Sequence, residues 1–112
     1  MNKHKELKEK YKTMTKPAGV FQIRNTRSGQ VFIVAGQDVQ AKMTSQRFQL
    51  KHGSHMNRVL QHDWSLSGEE CFAFEVLELV KQEEGVQADV REDLRVMEKR
   101  WREKMKPGGS LY

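Results

Sequence analysis

A chain of 112 residues has room for one domain with a modest core, burying roughly 60–68% of its unfolded surface, and none for a separate cofactor-binding domain. The single cysteine, Cys71, excludes an internal disulfide, and no apolar run reaches the ~18–20 residues of a membrane helix. Lysines near the start lack the apolar stretch of a secretory signal behind them, so a cytoplasmic setting is the expectation. Net charge is +5 and unevenly spread, with +4 over residues 1–16, +4 over 17–64, −6 over 65–90 and +3 over 91–112. A basic front half suits a polyanionic partner on one face, and equally a solvated surface.

Residues 3–14 place Leu7, Tyr11 and Met14 at helical spacing with i,i+4 Lys–Glu pairs, which predicts a basic N-terminal helix within 1–16, stopped before Pro17. Gly19–Asn25 and Gln30–Val34, rich in β-branched and aromatic residues, flank the polar stretch Thr26-Arg27-Ser28-Gly29 and read as a hairpin. Pairing Asn25 with Gln30 sets Ile23 against Phe32 and Phe21 against Val34, all on one apolar face. A helix over 38–52 follows, with Asp38 as its cap, Gly53 as its left-handed stop, and Val39, Met43 and Leu50 within about 40° of one another. A second helix is expected from a Ser54 cap, with Met56, Val59, Leu60 and Trp64 inward. Phe72, Phe74 and Val76 alternate as one face of a third strand. After an acidic loop at 81–89, the stripe Val90, Leu94, Met97, Trp101 and Met105 marks a last helix that stops at Pro107-Gly108-Gly109.

That order predicts an α+β domain: a three-stranded, mainly antiparallel sheet flanked by helices, with an N-terminal helix added. Gly19-Val20-Phe21, followed after ten residues by Phe32-Ile33-Val34, resembles the paired strand motifs of the GIY-YIG nuclease family. The similarity continues through Asn57, Leu60-Gln61, Trp64, Gly68, the Phe72–Leu77 strand, and Met97-Glu98 with Trp101 and Lys104. It spans about residues 17–107, leaving 1–16 as a basic helix and 108–112 as a C-terminal tail.

The resemblance implies a site of two tyrosines and an arginine beside a glutamate that binds one divalent metal, the first tyrosine acting as general base for water. The tyrosine positions carry Phe21 and Phe32, the glycine of the second triplet is Val34, the arginine is Lys42, and a histidine one turn later is Gln46. Glu98 falls at the metal position, so Mg²⁺ or Mn²⁺ at Glu98 is the one cofactor implied. Phenylalanine can neither take a proton nor hydrogen-bond a phosphate, and lysine lacks the bidentate fork of arginine. General-base and charge-stabilising effects are each worth roughly 10²–10⁴-fold in rate, so several losses together predict poor cleavage.

Arg95 and Arg102, at i−3 and i+4, are alternative partners for Glu98. His52, His55 and His62 lack zinc-ligand spacing, and no glycine-rich loop supports nucleotide hydrolysis. The expected nucleic-acid contacts are Arg24, Arg27, Lys42, Arg47, Lys51 and Arg58. The leading expectation is a catalytically degenerate domain that contacts DNA or RNA, with no membrane or small-molecule cofactor role. A weakly active metal-dependent endonuclease using Glu98 and Lys42, and a protein-interaction module, are the alternatives.

Overall fold

β1 (Gly19–Asn25) and β2 (Val31–Gly36) form the expected hairpin, antiparallel, with Phe21 opposite Val34 and Ile23 opposite Phe32. Asn25 closes the turn: its N–H donates to the Gln30 carbonyl at 2.9 Å, and its Oδ1 accepts from the N–H groups of Arg27 and Ser28. In this computed structural model residues 17–81 and 89–112 are described. The predicted N-terminal helix and all but the ends of the acidic loop lie outside the described residues. β3 (Phe72–Leu79) pairs antiparallel with the other edge of β1, giving the strand order β2-β1-β3.

Two helices cover one face of the sheet. α1 (Val39–Lys51) starts at Asp38, whose carboxylate accepts from the Ala41 N–H at 3.1 Å, and is followed by Gly53 at φ +71°. α2 (Arg58–Ser67) runs on to a single 3₁₀ turn at Glu69–Cys71. Together they bury Val39, Leu50, Leu60 and Trp64 against Phe21, Ile23, Val34 and Phe72. Each such side chain, fully buried, is worth about 1.5–3 kcal/mol, so this layer holds most of the apolar driving force.

The opposite face is covered by α3 (Arg91–Met105). Met97 packs on Val20, Val31 and Ile33, with Trp101 and Met105 alongside. The Trp101 indole N–H donates to Glu78 of β3 at 2.8 Å, and Arg100 reaches the same carboxylate at 2.6 Å. Residues 110–112 line the free edge of β2: the Val31 N–H donates to Ser110 and the Tyr112 N–H to the Val31 carbonyl. The Tyr112 hydroxyl then accepts from Asn25 at 2.9 Å and donates to Asp63 at 2.8 Å, joining the hairpin turn to α2.

Two local expectations are corrected. α2 is capped by Asn57, whose side chain accepts from the Leu60 N–H, and not by Ser54. Met56 therefore lies outside the helix and Val59 turns outward, both exposed, while Gln61 joins Leu60 and Trp64 inside. Val76, expected inward beside Phe72 and Phe74, is 45% exposed. Trp64 covers Phe72 and Phe74, at 5.1 and 6.2 Å between ring centroids, and the β1–β3 register shifts between Val20 and Phe21, near Val76.

Candidate functional site

Phe21 and Phe32, which the sequence resemblance sets at two tyrosine positions, lie within packed structure. Phe21 is fully buried at the centre of the α1–α2 face and stacks on Phe74 at 6.4 Å. Phe32, half-buried, meets the His55 ring edge-on at 5.1 Å. Val34 stands opposite Phe21 and fills the core where a glycine would leave open space. None of these three side chains offers a polar atom to a substrate.

One turn past Lys42, Gln46 belongs to a buried polar network. The His55 Nδ1 accepts from the Asn57 N–H at 3.0 Å, which leaves Nε2 to carry the proton and donate it to Gln46 Oε1. Gln61 accepts from the His55 N–H at 3.0 Å and donates to the Leu50 carbonyl at 2.9 Å. Burial pushes the His55 imidazole below its usual range and so favours the neutral ring. A neutral imidazole that already uses both nitrogens has nothing left for a metal or a phosphate.

Lys42 and Glu98 do come together. They line one open groove of about 380 Å³ at the end of β2, together with Gly36 and with Arg91 and Arg95 of α3. Lys42 packs closely on Gly36: a Cβ there would stand 3.1 Å from the Lys42 Cβ. Arg102 is 3.5 Å from the Glu98 carboxylate and also donates to the Ile33 carbonyl at 3.3 Å. Arg95 turns instead to Glu92. A second groove of about 360 Å³ continues past Glu98 along α3, lined by Lys99, Arg102, Glu103 and Lys106.

The donor set does not fit a resident divalent cation. Mg²⁺ needs near-octahedral oxygen ligands, and Glu98 is one carboxylate, ion-paired to Arg102 in a groove that also holds Lys42, Arg91 and Arg95. Among the described residues no group of three or more His, Cys, Asp or Glu side chains is placed to hold a metal.

The six basic residues named as expected nucleic-acid contacts are distributed over several surfaces. Arg24 forms a bidentate pair with Glu75, at 2.7 and 3.0 Å, and with Gln22 it holds that carboxyl down at about 2. Arg47 lies 4.5 Å over the Phe74 ring and, with Lys51, approaches Glu69 at 3.8 and 3.5 Å. Arg27 stands exposed on the hairpin turn and Arg58 on the first turn of α2. Only Lys42 reaches the Glu98 groove. The other cations that line the grooves, Arg91, Arg95, Lys99, Arg102 and Lys106, were not among the expected nucleic-acid contacts; Arg95 and Arg102 entered only as partners for Glu98. These cations recur along 91–106 at helical spacing beside the apolar stripe, a signal that the apolar pattern masked.

The hairpin-led antiparallel sheet, with α1 and α2 on one face and α3 on the other, is the GIY-YIG fold. Two solved structures share it. One is the catalytic domain of the homing endonuclease I-TevI, with a TM-score of 0.68 and 22% identity over 84% of this chain and 96% of that one. The other is a point mutant of the intron endonuclease I-TevI catalytic domain, with a TM-score of 0.70 and 20% identity over 86% of this chain and 91% of that one. No protein-family model and no curated protein matches the sequence. Among the described residues no helix is long and apolar enough to cross a membrane.

Proposed function

We propose that this chain is a nucleic-acid-binding domain of the GIY-YIG fold that has lost efficient strand cleavage. The observation that carries the reading is a contrast within one fold. Where the family places its general base, Phe21 is sealed in the core, while the groove holding Lys42 and Glu98 stays open and rich in cations. The neighbours are endonuclease catalytic domains, which supplies nucleic acid as the ligand class. A phosphodiester backbone is a polyanion, and lysine and arginine side chains bind it by charge and by release of its counterions. Without a hydroxyl at positions 21 or 32, and with one carboxylate already paired, the groove can hold phosphate but has no evident group to activate water.

The test is a paired assay on purified protein, with DNA and RNA substrates and Mg²⁺ or Mn²⁺ present. The wild type should bind and should cleave no faster than Glu98→Ala. Metal-dependent cleavage that Glu98→Ala abolishes would contradict the proposal and promote a weakly active endonuclease using Glu98 and Lys42. A protein-interaction role draws on a separate observation: Phe48, Met56, Val59 and Leu66, on α1, α2 and their connection, are all exposed. Absence of binding to every nucleic acid would favour that role.

A further inference from the structure

The cations around Glu98 differ in what already engages them. Arg91 is held by Asp89 and Arg95 by Glu92, in exposed local pairs. Arg102 is held by Glu98 at 3.5 Å, a longer contact than a direct charge-assisted hydrogen bond. Among the described residues no ion pair engages Lys42, Lys99 or Lys106. The two adjoining grooves are thus a continuous cationic track along α3, with Glu98 at the junction. Glu98 and Glu103 are the only carboxylates among the residues lining it.

On the reading that this domain binds nucleic acid, we propose that the sugar-phosphate backbone of a duplex runs along this α3 track. Glu98 serves there as a counterion that a backbone phosphate displaces from Arg102, not as a metal ligand. The chemistry favours the exchange. Arg102 touches the Ile33 carbonyl through one guanidinium nitrogen at 3.3 Å, and the rest of its planar fork can grip a phosphate at two points. Lys42 and Lys99 flank the same junction and supply further positive charge to a phosphate that enters. A carboxylate there repels the incoming backbone, and that repulsion is what a metal-binding role would invert. The track lies on the α3 face of the sheet, whereas Arg47 lies over Phe74, part of the α1–α2 layer. The two basic surfaces can therefore be tested separately.

The experiment measures affinity for duplex DNA and duplex RNA of one sequence over a salt series. It uses wild type, Glu98→Gln, the double variant Lys99→Glu/Lys106→Glu, and the double variant Arg47→Glu/Lys51→Glu. Glu98→Gln should tighten binding by roughly 2–5-fold, the scale of one partly exposed charge pair. It should also steepen the slope of log affinity against log salt by up to about 0.9, because the carboxylate freed in wild type takes a cation back up and the amide does not. These changes should be the same with Mg²⁺ or with chelator. Lys99→Glu/Lys106→Glu should weaken binding about tenfold or more, and Arg47→Glu/Lys51→Glu much less. Either duplex showing this pattern supports the proposal. Weaker or unchanged binding by Glu98→Gln overturns it, as does Mn²⁺ binding by wild type, read by electron paramagnetic resonance, that Glu98→Gln abolishes. Binding lost in Arg47→Glu/Lys51→Glu but kept in Lys99→Glu/Lys106→Glu overturns the α3 placement and leaves nucleic-acid binding standing. A wild type that binds neither duplex overturns the underlying functional reading.

Discussion

A tyrosine hydroxyl introduced at position 21 would enter a fully buried, apolar cluster. Phe21 is surrounded by Ile23, Val34, Leu60 and Phe74, so Phe21→Tyr strands a buried polar group at a cost of about 1–3 kcal/mol. We expect Phe21→Tyr to melt several degrees below wild type and to gain no cleavage; a melting temperature equal to or above wild type would show an open, polar pocket. His55 makes a second residue-scale prediction. Its folded-state affinity for protons is lowered by burial, while in the unfolded chain it titrates near 6.5. The unfolded state therefore binds more protons below that value, and the stabilisation, present above about pH 6.5, is lost as pH falls through the depressed folded value. Urea midpoints measured between pH 8 and pH 5 should drop for wild type. They should fall less steeply for His55→Asn, which keeps an acceptor for the Asn57 N–H but does not titrate. Parallel slopes in the two proteins would remove His55 as the cause.

At the scale of elements, the C-terminal residues act as a short third partner for the hairpin. Leu111 forms a parallel bridge with Val31, and Tyr112 ties Asn25 to Asp63. Tyr112→Phe removes both hydroxyl bonds and should lower stability by about 0.5–1.5 kcal/mol per bond lost, read as a shift in the urea midpoint. Burial, with Asp63 adding to it, pushes the Tyr112 phenol up to about 12. The unfolded phenol ionises near 10, so this stabilisation is present below pH 10 and fades between about 10 and 12; a Tyr112→Phe variant should lack that alkaline loss. The strands and helices were legible in sequence because their apolar residues repeat at strand or helix period. Phe21, Ile23, Phe32 and Val34 fixed the hairpin register, and Leu94, Met97 and Trp101 the inward side of α3. The start of α2 was not legible, because Ser54 and Asn57 are both good caps and only the burial of His55 between them decides for Asn57. The role of Gln46 was also hidden, since its partner His55 lies across the connection between two helices.

Over the whole molecule, charge is organised by face and not by the halves of the sequence. The basic front half offered Arg24, Arg27, Lys42, Arg47, Lys51 and Arg58 as contacts, but folding gives Arg24 to Glu75 and Arg47 with Lys51 to Glu69. Only Lys42 crosses to the groove, where the cations of α3 wait. Linear sequence could not show this, because which side of the sheet a helix covers depends on topology as well as on its own pattern. The central claim, nucleic-acid binding without efficient cleavage, is tested most directly by titrating wild-type protein against a DNA duplex and an RNA duplex from low to moderate salt with Mg²⁺ present. Strand integrity is read on the same samples. Binding should be weak and largely independent of sequence. Log affinity should fall linearly with log salt at a slope corresponding to about three to five neutralised phosphates, and the strands should stay intact. Binding to neither duplex at low salt, or strands cut in a metal-dependent way that Glu98→Ala abolishes, would contradict it.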